Sequence, residues 1–216
     1  CSYGNINSSN APISKDLKRE FGLFFLIPKN IYLPLSIFGI IFLIFIILNF
    51  DDQLSYVSSF IAAFITVFVM SEGSFKDDYN SGYLEQKICE GESLSSYLFA
   101  KFSVNLILIF IPITLFAYLI NGFGEENIFE LIISYLLMLS TLHFFFNLGS
   151  AISMKRDNSL NALLIIPLLI PFIILVEEIF VKIVLEPNLN FLMAYFIFSA
   201  TFINFAVIQI LKVQSK

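Results

Sequence analysis

The sequence predicts an all-α integral membrane protein, a bundle of about six transmembrane helices with both termini on one side. Three observations carry this. First, the 216 residues are 58% hydrophobic and 13% charged, with a mean hydropathy of +0.86. That is about half the charged fraction of a soluble domain, and no globular core hides so much Phe, Ile and Leu, so the solvent is lipid. Second, the apolar runs are long and unbroken, without the short alternation of a barrel. Only helices satisfy their backbone in hydrocarbon under that pattern. Third, once spans are drawn, the basic residues sort to one side.

Residues 1–13 form a polar N-terminal extension, and residues 14–216 a single transmembrane domain. From Ile13 to Phe24, the apolar Ile13, Leu17, Phe21 and Phe24 recur at helical spacing while Lys15, Lys18 and Arg19 fall elsewhere. This reads either as an amphipathic helix on the membrane surface or as the charged flank of the first span. A crossing helix needs about 20 apolar residues. That ruler places spans at Ile31–Phe50, Ser55–Ser74, Ser96–Ile120, Ile128–Met154, Ala162–Val181 and Phe191–Leu211. Ala62 and Ala63 in the second span permit close helix packing. The first apolar run continues into a full span, so no removable signal peptide is expected.

Lys15, Lys18, Arg19, Lys29, Lys76, Lys87, Lys101, Lys155, Arg156, Lys212 and Lys216 then share one side, and only Lys182 lies opposite. Basic residues mark the cytoplasmic or matrix face. The net charge of −5 excludes nothing by itself, but no basic patch suited to nucleic acid is present. Two cysteines, Cys1 and Cys89, are too few for a disulfide framework and are expected as free thiols. A start at Cys also suits a mature lipoprotein, a reading that puts the N-terminus outside, against the basic residues. An excess of Phe, Ile, Asn and Lys with no Trp suggests an AT-rich genome, organellar or bacterial.

The longest polar interruption runs from Phe75 to Gln86 and faces the basic side. Asn80-Ser81-Gly82 marks a turn, Tyr83 to Glu90 fits two helical turns, and Ser93 is placed to cap the third span. A short helix between two spans is a suitable lever for a soluble motor. The chain has no Gly-x-x-x-x-Gly-Lys-Ser/Thr phosphate loop of its own.

The pattern Phe75-x-Asp77-Asp78-x-x-x-Gly82-x-Leu84-Glu85-Gln86, followed by Leu98-Phe99-Ala100-Lys101 and by Pro167 and Pro171 in the fifth span, resembles the CcmB family of haem exporter permeases. The resemblance runs from Lys15 to the end. It implies an ABC-2-like, non-catalytic permease subunit of a cytochrome c maturation complex. The implied partners are a separate CcmA-like ATPase, reached through the 75–92 loop, and CcmC- and CcmD-like haem-handling subunits. Two permease halves are implied, by homodimerisation or by pairing with another membrane subunit. ATP enters through the partner, haem is a handled ligand, and the site is a bacterial or mitochondrial inner membrane. Phe75, Asp77, Asp78, Gly82, Leu84, Glu85 and Gln86 are the implied coupling residues.

Other readings stand beside this one. Asp77 and Asp78 suit Mg²⁺ in a membrane-embedded transferase, although the facing loop Lys155-Arg156-Asp157-Asn158 offers only one further carboxylate. A structural subunit of a respiratory complex also fits the composition. His143, the lone histidine, is chemically able to ligate haem, but a bundle-facing histidine bonded to a neighbouring Ser or carbonyl is favoured. Pro167 and Pro171 mark either a hinge or a static bend; Pro112 predicts a further kink. Glu177 and Glu178 are expected at the outer interface. No catalytic or metal-binding residue is assigned.

Overall fold

The computed structural model describes residues 12–48, 52–121, 128–155, 165–180 and 188–214, and every regular element among them is helical. Several residues named above lie outside the described residues: residues 1–11 of the extension with Cys1, the span ends Phe50, Ala162 and Val181, Arg156 to Asn158, Lys182 and Lys216.

Helix α1 (Pro12–Leu26) meets α2 (Lys29–Leu48) at a bend of 69°. The bend falls at Pro28, whose ring disfavours helical backbone at Ile27, so one helix ends there and the next starts. Helix α3 (Asp52–Ser71) packs along α2. Ala62 and Ala63 are fully buried, as close packing requires. Two short helices follow, α4 (Lys76–Asn80) and α5 (Tyr83–Cys89). Then α6 (Leu94–Asn105) runs through a π-helical segment, Leu106–Phe110, into α7 (Ile111–Asn121). Helix α8 (Ile128–Ser153) is central: it touches α3, α7, α10 (Asn188–Phe198) and α11 (Asn204–Gln214). Phe146 on α8 meets Phe64 and Phe68 of α3 edge-on, with ring centroids 5.1 and 5.3 Å apart. The Tyr135 hydroxyl lies 3.0 Å from that of Ser59, pairing two polar groups inside the bundle.

Among the described residues four helices are long and apolar enough to cross a membrane, and the bent pair α1–α2 makes a fifth. Helix α9 (Ile166–Phe180), inside the fifth predicted span, covers 15 residues. Both ends of that predicted span, Ala162 and Val181, lie outside the described residues. The twin prolines also differ in effect. Pro167 sits in the first turn of α9, where a missing N–H costs no bond, whereas Pro171 lies inside the helix.

The kink expected at Pro112 takes the form of a widened turn. A proline there has no N–H for the Leu108 carbonyl, and its ring crowds that carbonyl. Leu106–Phe110, one residue before it, relax into π geometry, with the Ile111 N–H reaching the Leu106 carbonyl. A second π segment, Ser199–Ile203, contains no proline. There the Asn204 backbone N–H bonds the Ser199 carbonyl, and its side-chain amide donates to the Ala200 carbonyl at 3.0 Å. The side chain thus satisfies the carbonyl that the slipped backbone leaves open.

The turns of the 72–93 segment form where the sequence places them. Gly82 has φ +74° and starts α5; Gly91 has φ +71° and ends the following turn. The Ser93 hydroxyl caps α6 by accepting from the Ser96 N–H at 3.4 Å. The free-thiol expectation is corrected at Cys89, which is disulfide-bonded and exposed at the end of α5. A Cβ added at Gly82 meets nothing within 4 Å, so the cost of Gly82→Ala is purely one of backbone. That substitution should lower stability by about 1–2 kcal/mol, read as thermal unfolding in detergent, with no change in side-chain packing.

Candidate functional site

Residues 75–92 lie against α1 and the start of α6, and a network of charges joins the three. Asp78, on α4, is 5% exposed. One of its oxygens accepts from the Arg19 guanidinium of α1. The other accepts from the Tyr97 hydroxyl and the Lys101 ammonium of α6, each at 2.5 Å. Lys101 also donates to the Tyr97 hydroxyl at 3.0 Å and stands 3.8 Å from Glu20. Glu20 in turn accepts from Arg19 at 2.5 Å.

A second knot lies one helical turn back along α1. The Lys87 ammonium, 1% exposed, donates to both oxygens of Asp16 at 2.7 and 3.0 Å and to Glu92 at 2.9 Å. Ser96 and Tyr83 also donate to Asp16, at 2.9 and 3.1 Å, and Lys15 closes on Glu92 at 3.0 Å. Tyr83 bridges the knots, because the Arg19 guanidinium lies 3.6 Å from the centre of its ring. Four carboxylates (Asp16, Glu20, Asp78, Glu92) face four cations (Lys15, Arg19, Lys87, Lys101), so the formal charges cancel.

The line of α1 that packs against the rest of the protein is acidic. Its most enclosed line is Asp16, Glu20 and Phe24, while Ile13 is 47% exposed and Leu17 and Phe21 are only partly buried. A signal was available. Two carboxylates four residues apart beside a bilayer are costly unless paired, and Lys87 and Lys101 are their counter-charges.

The implied coupling residues fall into two sets. Phe75, Asp78 and Leu84 point inward, and Phe75 and Leu84 have no exposed surface. Asp77, Glu85 and Gln86 are exposed, with the Gln86 amide donating to Glu90 at 2.7 Å. Gly82 supplies the turn between α4 and α5, and within each helix successive side chains point about 100° apart, which separates the two sets. The adjacent aspartates therefore do not converge: both oxygens of Asp78 are engaged by cations and a hydroxyl, and Asp77 faces away. Among the described residues no three His, Cys, Asp or Glu come together as metal ligands.

His143 is 1% exposed inside the bundle. Its Nε2 lies 2.9 Å from the Asn147 amide, and the rings of Phe102 and Phe110 lie 6.1 and 5.5 Å away. Its partner is a side-chain amide one turn along the same helix, not the expected Ser or carbonyl. Lys155 reaches over the Tyr79 ring at 5.7 Å, and Gln214 donates to the Ile152 carbonyl at 3.3 Å. The end of α8 and the end of α11 thus lie at the same end of the bundle as the charged network.

A family model described as CcmB protein matches residues 13–214 of this chain. Heme exporter protein B of Pseudomonas aeruginosa is 33% identical over 172 residues, covering 74% of this chain and 76% of that protein.

Replacing one member of a buried charge cluster is costly because its partners are left uncompensated. Asp78→Asn should destabilise by about 3–5 kcal/mol in thermal unfolding, whereas the exposed Asp77→Asn stays within about 0.5 kcal/mol. The outer knot has a pH window. The bond from Lys87 holds the Glu92 carboxyl below its ordinary 4.5. Burial works against the Lys87 ammonium, but its bonds to Asp16 and Glu92 outweigh that and raise it above 10.5. The Glu92 contribution is present above its unfolded value and lost as pH falls through the depressed folded one. The Lys87 contribution is present below its unfolded value and lost as pH rises through the raised folded one. Stability should therefore plateau between these limits, and Glu92→Gln should flatten the acid limb of a melting-temperature profile.

Proposed function

The chain belongs to the CcmB family, and from that premise we propose that it is the membrane permease subunit of a haem export complex serving cytochrome c maturation. It is a multi-pass integral membrane protein. The Pseudomonas aeruginosa relative bears the name heme exporter protein B, and its match spans most of both chains. The sequence has no phosphate loop, so ATP hydrolysis falls to a separate, CcmA-like subunit. CcmC- and CcmD-like membrane subunits complete the assembly in this reading. The end of the bundle that carries the charged network faces the cytoplasm, since it also carries the basic residues.

The observation that carries the coupling role is the division within residues 75–86. One set of side chains anchors the segment and the other, Asp77, Glu85 and Gln86, is turned outward on two short helices. A rigidly mounted pair of helices with an outward polar face is what a soluble ATPase can grip without unfolding the permease. The transferase alternative loses its metal site, because Asp78 is spent on Arg19, Tyr97 and Lys101.

The test is copurification of the ATPase subunit with a tagged chain. Glu85→Lys and Asp77→Lys should cut the recovered ATPase at least fivefold while leaving the melting temperature within about 2 °C, as exposed substitutions do. Unchanged recovery together with unchanged cytochrome c assembly overturns the reading.

A further inference from the structure

The geometry assigns a second role to the same end of the molecule: Lys101 and Tyr97 are positioning residues that make α1, the α4–α5 segment and the third predicted span move as one body. This rests on the coupling role proposed for residues 75–86 and goes beyond it, from where the partner holds to how its pull leaves the loop.

Asp78 is the only carboxylate on α4–α5 held from two other elements at once. Arg19 grips it from α1, 59 residues away in sequence, and Tyr97 and Lys101 grip it from α6, 19 and 23 residues away. Tyr97 has no exposed surface, and the Lys101 side chain keeps only 12% of its own. Exposed ion pairs exchange readily with water and salt and make poor levers. Buried ones do not, because separating them strands a charge away from water. The second knot repeats the arrangement with Lys87 of α5, Asp16 of α1 and Ser96 of α6. Two such ties, about one helical turn apart along α1, fix orientation as well as distance.

The receiving element is built to use that motion. Lys101 stands one turn before the π-helical segment Leu106–Phe110, which precedes Pro112. Phe110 in that segment packs against His143 of α8, the central helix. A displacement passed to α6 at Lys101 therefore meets the one place in that span where the regular hydrogen-bond ladder is already broken. The span can flex there against the bundle, whereas the charged end stays rigid.

The experiment uses the full chain in its own membrane with its ATPase partner, and reads three quantities: folded permease, ATPase copurified, and haem-bearing cytochrome c produced. Lys101→Met removes the charge but keeps the stem. It should leave ATPase recovery within twofold and lower cytochrome c output at least tenfold, and Lys101→Arg should restore at least half. Tyr97→Phe removes a single hydroxyl and leaves every charge paired, so it decides the matter if the Met variant does not accumulate; its output should fall at least threefold at normal ATPase recovery. Wild-type output from the accumulating variants overturns the inference. So does a loss of output matched by an equal loss of bound ATPase, since the network then serves docking alone. If the unmodified chain retains no ATPase, it is the coupling reading of residues 75–86 that fails, a result distinct from either.

Discussion

The Asp78 carboxylate is the constraint on which this end of the molecule depends. It is the acceptor that lets a guanidinium, an ammonium and a phenol from two other helices share one buried spot. Buried charge of this kind is weak evidence for net stability, because desolvation offsets most of the attraction. Its effect is on uniqueness. Any rearrangement of α1 relative to α6 leaves at least one charge unpaired in a poorly solvated place, so alternatives are excluded by their cost. The cancelling set of four carboxylates and four cations extends that logic over the whole contact.

Elsewhere the bundle is held by less specific means. Apolar packing around α8, with edge-on Phe contacts to α3, supplies contact area without fixing register closely. The two π-helical segments show how the spans absorb local irregularity. One follows from the chemistry of Pro112, and the other is made tolerable by the side-chain amide of Asn204. At the second, the Asn204 amide bonds the Ala200 carbonyl, as hydrocarbon surroundings demand.

Membership of the CcmB family and the division of the 75–86 segment support each other. Inward Phe75, Asp78 and Leu84 hold the segment; outward Asp77, Glu85 and Gln86 offer it. The same division removes Asp77 and Asp78 as a metal pair, and the enclosure of His143 sets that residue among the interior contacts of the bundle.

The membrane class, the approximate bounds of most long helices, the turns at Gly82 and Ser93, and the family are all legible in the sequence. All of these depend on composition or on spacing within a few residues, which are visible in one dimension. That Asp78 is a keystone while Asp77 is surface emerges from packing alone, since neighbouring residues on a helix point about 100° apart and the partners that claim one lie 19 to 59 residues away. The same holds for α1. Its apolar spacing was legible, but its most enclosed line is acidic because Lys87 and Lys101 arrive from other elements to neutralise it. Pairing between distant charges is a property of distances in space, and those are set only when the helices pack.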